Sequence, residues 1–435
     1  MRFWFCLFSF FFCALPIRAF DLASRVQEIT LANGMKWIVV RRPGVPVFSG
    51  KIVVRAGGLN ETPGKTGLAH MFEHMAFKGS PDITKDEIWS SLVRNGAKED
   101  DLNAYTSKDI TVYQASLPAV KFELWAYITS EMIFRPIFFE FYKERDVVME
   151  ERRMRVDNSP EGFTLEKMIG LAFPSGPYSW SVIGKPEEVQ SLEVDDARKF
   201  HRDYYHPNNM VGVLVGDLDL TALRPTLERY FGRFPRAVVK PDPKTVAIPP
   251  GEKRETIYFN AKPFLLMAFH KPNVPHSDDY VFDMINGLLC QGRTSRLEEE
   301  LVRRQQLLAS VWCTGNWPGG RLPNLFLIAA TPMAGRSLSE VEEAITQELE
   351  KLKTAVEGKH LDRVRKNIRS DLLWSLTDNM GLAGQLGENE VVAGSWRYVT
   401  EYDAKVAGIT PKQVEKVAQK YFVPANRVVL GREKK

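Results

Sequence analysis

The chain has 435 residues, of which 44% are hydrophobic and 26% charged. That is globular composition with enough apolar mass for two large domains, and it excludes disorder, collagen-like repeats and a disulfide-dense miniature scaffold. With 58 Lys and Arg against 54 Asp and Glu, the net charge of +4 is too balanced for a nucleic-acid binder.

At the N-terminus, Arg2 precedes a dense apolar run from Phe3 to Leu15, and the stretch closes at Ile17-Arg18-Ala19. A basic start, an apolar stretch of this length and a small residue before Phe20 read as a secretory signal peptide over residues 1–19. The run is too short to span a bilayer comfortably. Phe10, Phe11 and Phe12 stand where a lipid-attachment signal at Cys13 would need small residues, so no stable membrane anchor is expected after cleavage. The expected location is the periplasm in a Gram-negative cell, or otherwise the medium. Cleavage removes Arg2 and Arg18, which lowers +4 to +2, and it removes Cys6 and Cys13. Cys290 and Cys313 then remain, either paired or buried as thiols.

Residues Arg25 to Val40 alternate as strand, turn and strand around Asn33-Gly34, a strong hairpin signal. A strand follows over Ser49–Arg55. Helical periodicity covers about Thr66–Phe77, Lys85–Gly96, Phe122–Phe134 and Phe138–Val156, while Asp109–Leu117 and Met210–Val215 read as strands. Residues 236–255 carry four prolines among many charges and read as an extended linker. The segments on either side end alike. Tyr204, Pro207 and Asn209 recur as Tyr421, Pro424 and Asn426, each 217 residues later, in a helix that stops before a proline and feeds a strand. The expected class is α+β: a tandem repeat of two related α/β-sandwich domains, each an antiparallel-rich mixed sheet packed by helices. The first covers residues 20–235 and the second 256–435.

The most informative segment is Gly67-Leu-Ala-His-Met-Phe-Glu-His-Met-Ala-Phe77. On a helix, His70 and His74 are one turn apart with Glu73 on the same side. Leu68, Met71, Phe72 and Met75 form the opposite apolar stripe. Two imidazoles so placed can hold one zinc ion, and the carboxylate between them can take a proton from water on that ion. A catalytic zinc needs a third protein ligand and an open position. The other five histidines (His201, His206, His270, His276, His360) lack ligand spacing, which turns the search to carboxylates. The helix around Lys143–Met154 offers Glu144, Glu150 and Glu151. Glu144 and Glu151 lie two turns apart on one face and Glu150 about 100° off it. Helical phase favours Glu151 as ligand with Glu144 as its supporting partner, and Glu150 stays open as the alternative.

These residues resemble the pitrilysin or insulinase-type metallopeptidases, inverted zincins, and within them the short-chain branch of the mitochondrial processing peptidase β-subunit and its bacterial relatives. The resemblance extends through Met75-Ala-Phe-Lys-Gly79, Asn103-Ala-Tyr-Thr-Ser107, Glu144-Arg-Asp-Val-Val-Met-Glu-Glu151, Tyr178-Ser-Trp-Ser-Val-Ile-Gly184, Tyr205-His-Pro-Asn-Asn209 and Gly292-Arg-Thr-Ser-Arg-Leu297. It implies one Zn2+ per chain on His70, His74 and Glu151, with Glu73 as general base in peptide hydrolysis and Glu144 behind the ligands. It also implies that Asn103 and Ala104 sit on an edge strand that pairs with a peptide substrate, and that Phe77 lines the same cleft. Two departures stand out. Active four-domain relatives carry an Arg and a Tyr that hold the substrate carbonyl, and Val302 and Ala309 occupy those places here. The resemblance then implies a heterodimer in which a zinc-less homologous subunit supplies the Arg/Tyr clamp. Of the acidic pair that reads arginine in the mitochondrial enzyme, Glu161 stands near one place and Leu165 in the other. A non-catalytic assembly subunit of the same fold is the competing reading.

Overall fold

The structure, a computed structural model, describes residues 22–435, so the signal-peptide segment lies outside the described residues. Eleven strands form two sheets among the described residues. In chain order they are β1 (Val26–Thr30), β2 (Lys36–Arg41), β3 (Val47–Val54), β4 (Asn103–Thr106), β5 (Thr111–Pro118), β6 (Met210–Gly216), β7 (Lys253–Phe259), β8 (Phe264–Lys271), β9 (Leu308–Trp317), β10 (Asn324–Pro332) and β11 (Arg427–Lys434). The first sheet runs β1-β2-β6-β3-β5-β4 and the second β7-β11-β8-β10-β9. The β2–β6 and β7–β11 pairs are parallel and every other pair is antiparallel.

Without β1, the first sheet maps onto the second strand for strand, in order and direction. The chain thus folds as two related domains. The repeat extends to single hydrogen bonds. Helices Val194–Tyr204 and Pro411–Tyr421 each end before a proline turn, Pro207–Asn209 or Pro424–Asn426. Asn209 Nδ2 donates to the Tyr204 carbonyl at 2.8 Å and to that of Arg55 at 3.3 Å. Asn426 Nδ2 donates to the Tyr421 carbonyl at 2.9 Å and to that of His270 at 2.8 Å. In both halves the amide satisfies an orphan carbonyl at the helix end and fastens it to a neighbouring segment, the residue just after β3 in the first and β8 in the second.

Three local features differ from the sequence expectation or complete it. Residues 236–252 hold no helix or strand, but Lys253, Arg254 and Glu255 already belong to β7, because their backbones pair with Val428, Val429 and Leu430. The helix expected over 138–156 starts only at Phe141, since Phe138 and Glu140 adopt positive φ, and it ends in a wide π turn, Arg153–Asp157. Cys290 and Cys313 are disulfide-bonded with Cα atoms 5.6 Å apart, which ties the end of helix Ser277–Leu289 to β9.

Each sheet buries both faces. One face of the first sheet packs Trp37, Phe48 and Ile52 against its own helices Leu68–Ala76 and Phe122–Phe134. Its other face presents Ile38, Val53 and Val213 to Leu382, Ala383 and Leu386, on helix Asn379–Val392 of the second half. Gly387 permits that approach, because a Cβ there would meet the Val213 and Val53 methyls at 2.8 and 2.9 Å. Reciprocally, Leu266, Ala268 and Leu430 of the second sheet pack on Met168 and Ala172 of the first-half helix Pro160–Ala172. Asp109, in the β4–β5 turn, clasps the halves together. Its carboxylate accepts from the Gly320 and Arg321 backbones and from the Tyr178 hydroxyl.

His270 lies at this junction with its ring edge-on to Phe173, and burial lowers its pKa from 6.5 to about 4. Between those values the unfolded imidazole binds a proton that the folded one refuses, so stability falls as the pH drops. We expect His270→Phe to flatten that dependence by up to about 3 kcal/mol, measured by urea unfolding at pH 7 and pH 4. An unchanged slope would mean that His270 is not the titrating group.

Candidate metal centre

The His70 helix starts in an unusual way. Gly67 precedes it with φ 83°, and a Cβ at that position would lie 2.6 Å from the Ile183 carbonyl oxygen and 2.8 Å from a Val189 methyl. Glycine is therefore required both for the backbone conformation and for the close approach. No side chain at the cap position can then satisfy the first amides. Glu61 takes that role from eight residues upstream of Ala69. Its carboxylate accepts from the Ala69 amide at 2.8 Å and from Trp180 Nε1 at 2.8 Å. A carboxylate at a helix N-terminus is also favoured by the helix dipole. Burial pushes the Glu61 pKa up, against the pull of buried Lys108, whose ammonium lies over the Trp180 ring. Leu68, Met71, Phe72 and Met75 are buried, as their spacing predicts, which turns the polar face outward.

On that face His70, His74 and Glu151 converge, each offering a ligand atom within 4.8 Å of the others. His70 Nε2 stands 3.7 Å from Glu151 Oε1, and His74 Nε2 stands 3.5 Å from Glu151 Oε2. These separations are long for hydrogen bonds. They are close to the roughly 3.3 Å edge of a tetrahedron with zinc-type bonds of about 2.0–2.2 Å. Glu144 Oε2 lies 3.3 Å from the other ring nitrogen of His74, and Glu144 Oε1 pairs with Lys78. A carboxylate behind a ligand imidazole fixes its orientation and tautomer. Nitrogen and carboxylate donors at this spacing fit a zinc ion. Glu150 points away, with its side chain 58% exposed against 14% for Glu151, and pairs with Arg153. The geometry therefore favours Glu151.

The electrostatics suit a cation. Burial, helped by the charge of His74, lowers His70 to about 4, leaving its ring neutral at pH 7. Burial would also lower His74, but the carboxylates of Glu144 and Glu151, one facing each ring nitrogen, override it and raise the ring to about 9. Without a cation, the carboxylates hold a proton on His74. A metal ion would displace it. Glu73 is pushed up by burial and partly restored by the Thr106 hydroxyl, which donates to its Oε2 at 2.6 Å.

Glu73, His74, Phe77, Asn103, Ala104 and Glu144 all line one cleft of about 310 Å³. β4, which carries Asn103 and Ala104, is the outermost strand of its sheet, and no described strand pairs with its free edge. Val302 and Ala309 are not part of this cleft. Leu165 packs toward the second sheet, and Glu161 is exposed with Arg432 3.7 Å away, so no acidic pair forms there. Three of the remaining histidines bond the scaffold. His201 bonds the Ile133 carbonyl, His206 the Arg202 carbonyl, and His276 caps helix Ser277–Leu289. Sequence reasoning gave no role to Glu61, Trp180 or Thr106. Thr106 alone left a signal, because strand alternation puts it on the same face as Ala104.

We expect Glu151→Gln to weaken zinc binding by more than roughly a hundredfold and Glu144→Gln by about ten- to hundredfold, with Glu150→Gln unchanged. Competition titration with a chromophoric chelator measures all three. A loss confined to Glu150→Gln would reverse the assignment.

Comparison with known proteins agrees with this geometry. A family model described as insulinase (peptidase family M16) matches residues 38–184, and one described as peptidase M16 inactive domain matches residues 191–368. A Helicobacter pylori protein named zinc protease PqqE is 28% identical over 408 residues, covering 91% of this chain and 90% of its own. The Caenorhabditis elegans mitochondrial-processing peptidase subunit beta is 22% identical over 91% of this chain and 86% of its own. Among solved structures, a protease from Helicobacter pylori matches with a TM-score of 0.88 at 25% identity, over 94% of this chain and 99% of that one. A Pseudomonas fluorescens structure described as a peptidase M16 inactive domain has a TM-score of 0.85 at 19% identity, over 94% and 98% of the two chains, which speaks to fold alone. The two family models fall in sequence along the chain and together take in most of it, and on that ground the chain belongs to the insulinase family of peptidases, M16.

Proposed function

We propose that the protein is an exported zinc metalloendopeptidase that hydrolyses oligopeptides or extended polypeptides. The observation that carries this reading is the convergence of His70, His74 and Glu151 beside a carboxylate outside the ligand set, Glu73, and a free strand edge. The zinc proteases among its relatives support the same chemistry. A zinc ion held there supplies Lewis-acid polarisation of the scissile carbonyl and a lowered pKa for attacking water. The protein does the rest. β4 aligns the peptide by pairing with its backbone, and Asn103, Ala104 and Phe77 shape the cleft around it. Glu73, in the His70-x-x-Glu73-His74 motif of inverted zincins, takes the proton from the attacking water and returns it to the leaving amine.

The stretch 1–19 and the Cys290–Cys313 bond both support export, since disulfides persist in oxidising compartments. The places of the Arg/Tyr clamp hold Val302 and Ala309, and the chain offers no such pair there. A zinc-less homologous subunit therefore completes the site in trans, and oxyanion stabilisation depends on it.

Glu73→Gln should keep zinc, read by metal analysis, and lose cleavage of a quenched peptide. Loss of zinc instead would mean that the roles are misassigned. Adding a homologous chain that carries the Arg/Tyr pair should raise turnover at least about tenfold. A rate indifferent to that partner would remove the heterodimer from the proposal.

A further inference from the structure

The peptidase reading leaves open what aims the carboxylate of Glu73. A glutamate side chain has three rotatable torsions, and a base misplaced by about 1 Å can lose a hundredfold in rate. Among the described residues, one hydroxyl is bonded to it. Thr106 Oγ1 donates to Glu73 Oε2 at 2.6 Å, and Oε1 has no described hydrogen-bond partner. The direction of that hydroxyl is itself constrained. Thr106 Oγ1 also lies 3.4 Å from Thr111 Oγ1, but Thr111 gives its own hydrogen to the Ala56 carbonyl at 3.0 Å. The much shorter contact to Glu73 thus takes the Thr106 proton.

The strand that carries Thr106 is fixed from the opposite face. Tyr105, whose side chain points the other way, donates to Glu388 Oε1 at 2.6 Å, and Glu388 belongs to the helix that the second half lays across the first sheet. Four-residue β4 therefore has three engaged sides. Its inner edge pairs with β5, Tyr105 anchors it to the second half, and Thr106 reaches Glu73. Its outer edge is left for substrate.

We propose that Thr106 is the positioning residue of the general base. It holds Glu73 Oε2 by a charge-assisted hydrogen bond, leaves Oε1 to accept the proton, and ties that aim to the strand on which the peptide is aligned. This rests on the peptidase reading. It adds a residue that binds neither metal nor substrate by its side chain.

The test is Thr106→Val, nearly isosteric but without the donor, beside Thr106→Ser, which restores it. Thr106→Val should lower kcat by roughly ten- to hundredfold with little change in KM, and Thr106→Ser should recover most of the loss. Zinc content should match the unmutated protein in both. In the Glu73→Gln background, Thr106→Val should leave affinity for an uncleaved peptide unchanged. A structure of zinc-loaded Thr106→Val should show Glu73 in more than one orientation. A kcat equal to that of the unmutated protein, a loss carried by KM, or a single unmoved Glu73 orientation would each overturn the positioning role. An unmutated protein that binds zinc yet cleaves nothing, with or without a partner, would instead overturn the peptidase reading. The orientation of Glu73 would still decide the role of Thr106.

Discussion

Both central sheets bury two faces, and neither half packs its own helices on more than one of them. The second face of each is closed from the other half, chiefly by helix Asn379–Val392 with Trp396 and Val399 on the first sheet and by helix Pro160–Ala172 with Phe173 and Tyr178 on the second. An apolar sheet face left in water forfeits about 25 cal/mol for every Å² of it. The halves are therefore not independent bodies joined by a tether. Residues 236–252 wander over the surface without regular structure, yet the exchanged helices and the Asp109 clasp hold the two domains in one arrangement.

This exchange reaches the metal centre directly. Glu144 and Glu151 sit on the helix that ends in the Arg153–Asp157 turn, two residues before Pro160–Ala172 begins. Arg152 grips Glu166 with both guanidinium nitrogens and also reaches the Gly184 carbonyl, beside the point where Gly67 starts the histidine helix. The helix that carries Glu144 and Glu151 is thereby fastened to the Gly184 loop, whose backbone lies against Thr66 and Gly67 at the start of the histidine helix, and the chain runs on from it into the core of the second domain. That domain contributes no donor to the metal. Its contribution is rigidity, through the helix it receives and through Glu388 beneath β4.

Much of this was legible in the sequence because it is periodic. The spacing of His70, Glu73 and His74 and the apolar stripe of Leu68, Met71, Phe72 and Met75 follow from one helical repeat. The same arithmetic puts Glu151 in line with Glu144 and Glu150 off the line. The 217-residue offset announced a duplication whose sheets match in order and direction. What remained hidden is held by contacts between residues distant in sequence. Nothing near Glu61 marks it as the anion at a helix start, since the missing cap is visible only once Gly67 is seen against Ile183. Trp180 and Lys108 meet Glu61 through loops with no period to read. The Cys290–Cys313 bond was one of two open readings, because 23 residues of separation do not fix a Cα distance. The last residues of the proline-rich stretch were misread for a similar reason. Lys253, Arg254 and Glu255 are charged and mostly exposed, so only their pairing with β11 makes them a strand.

One feature of the first sheet bears on how a peptide would leave. β4 is four residues long, and its neighbour β5 twice that. An edge this short offers an extended chain only a few backbone hydrogen bonds, each contributing about 1 kcal/mol net. That suffices to set a register but not to retain a fragment once the chain is cut and the remaining contacts are divided between two pieces. The same brevity discourages edge-to-edge association between copies. On the proposed reading, a longer strand would grip more tightly and release more slowly, so the length of β4 would set a ceiling on residence time.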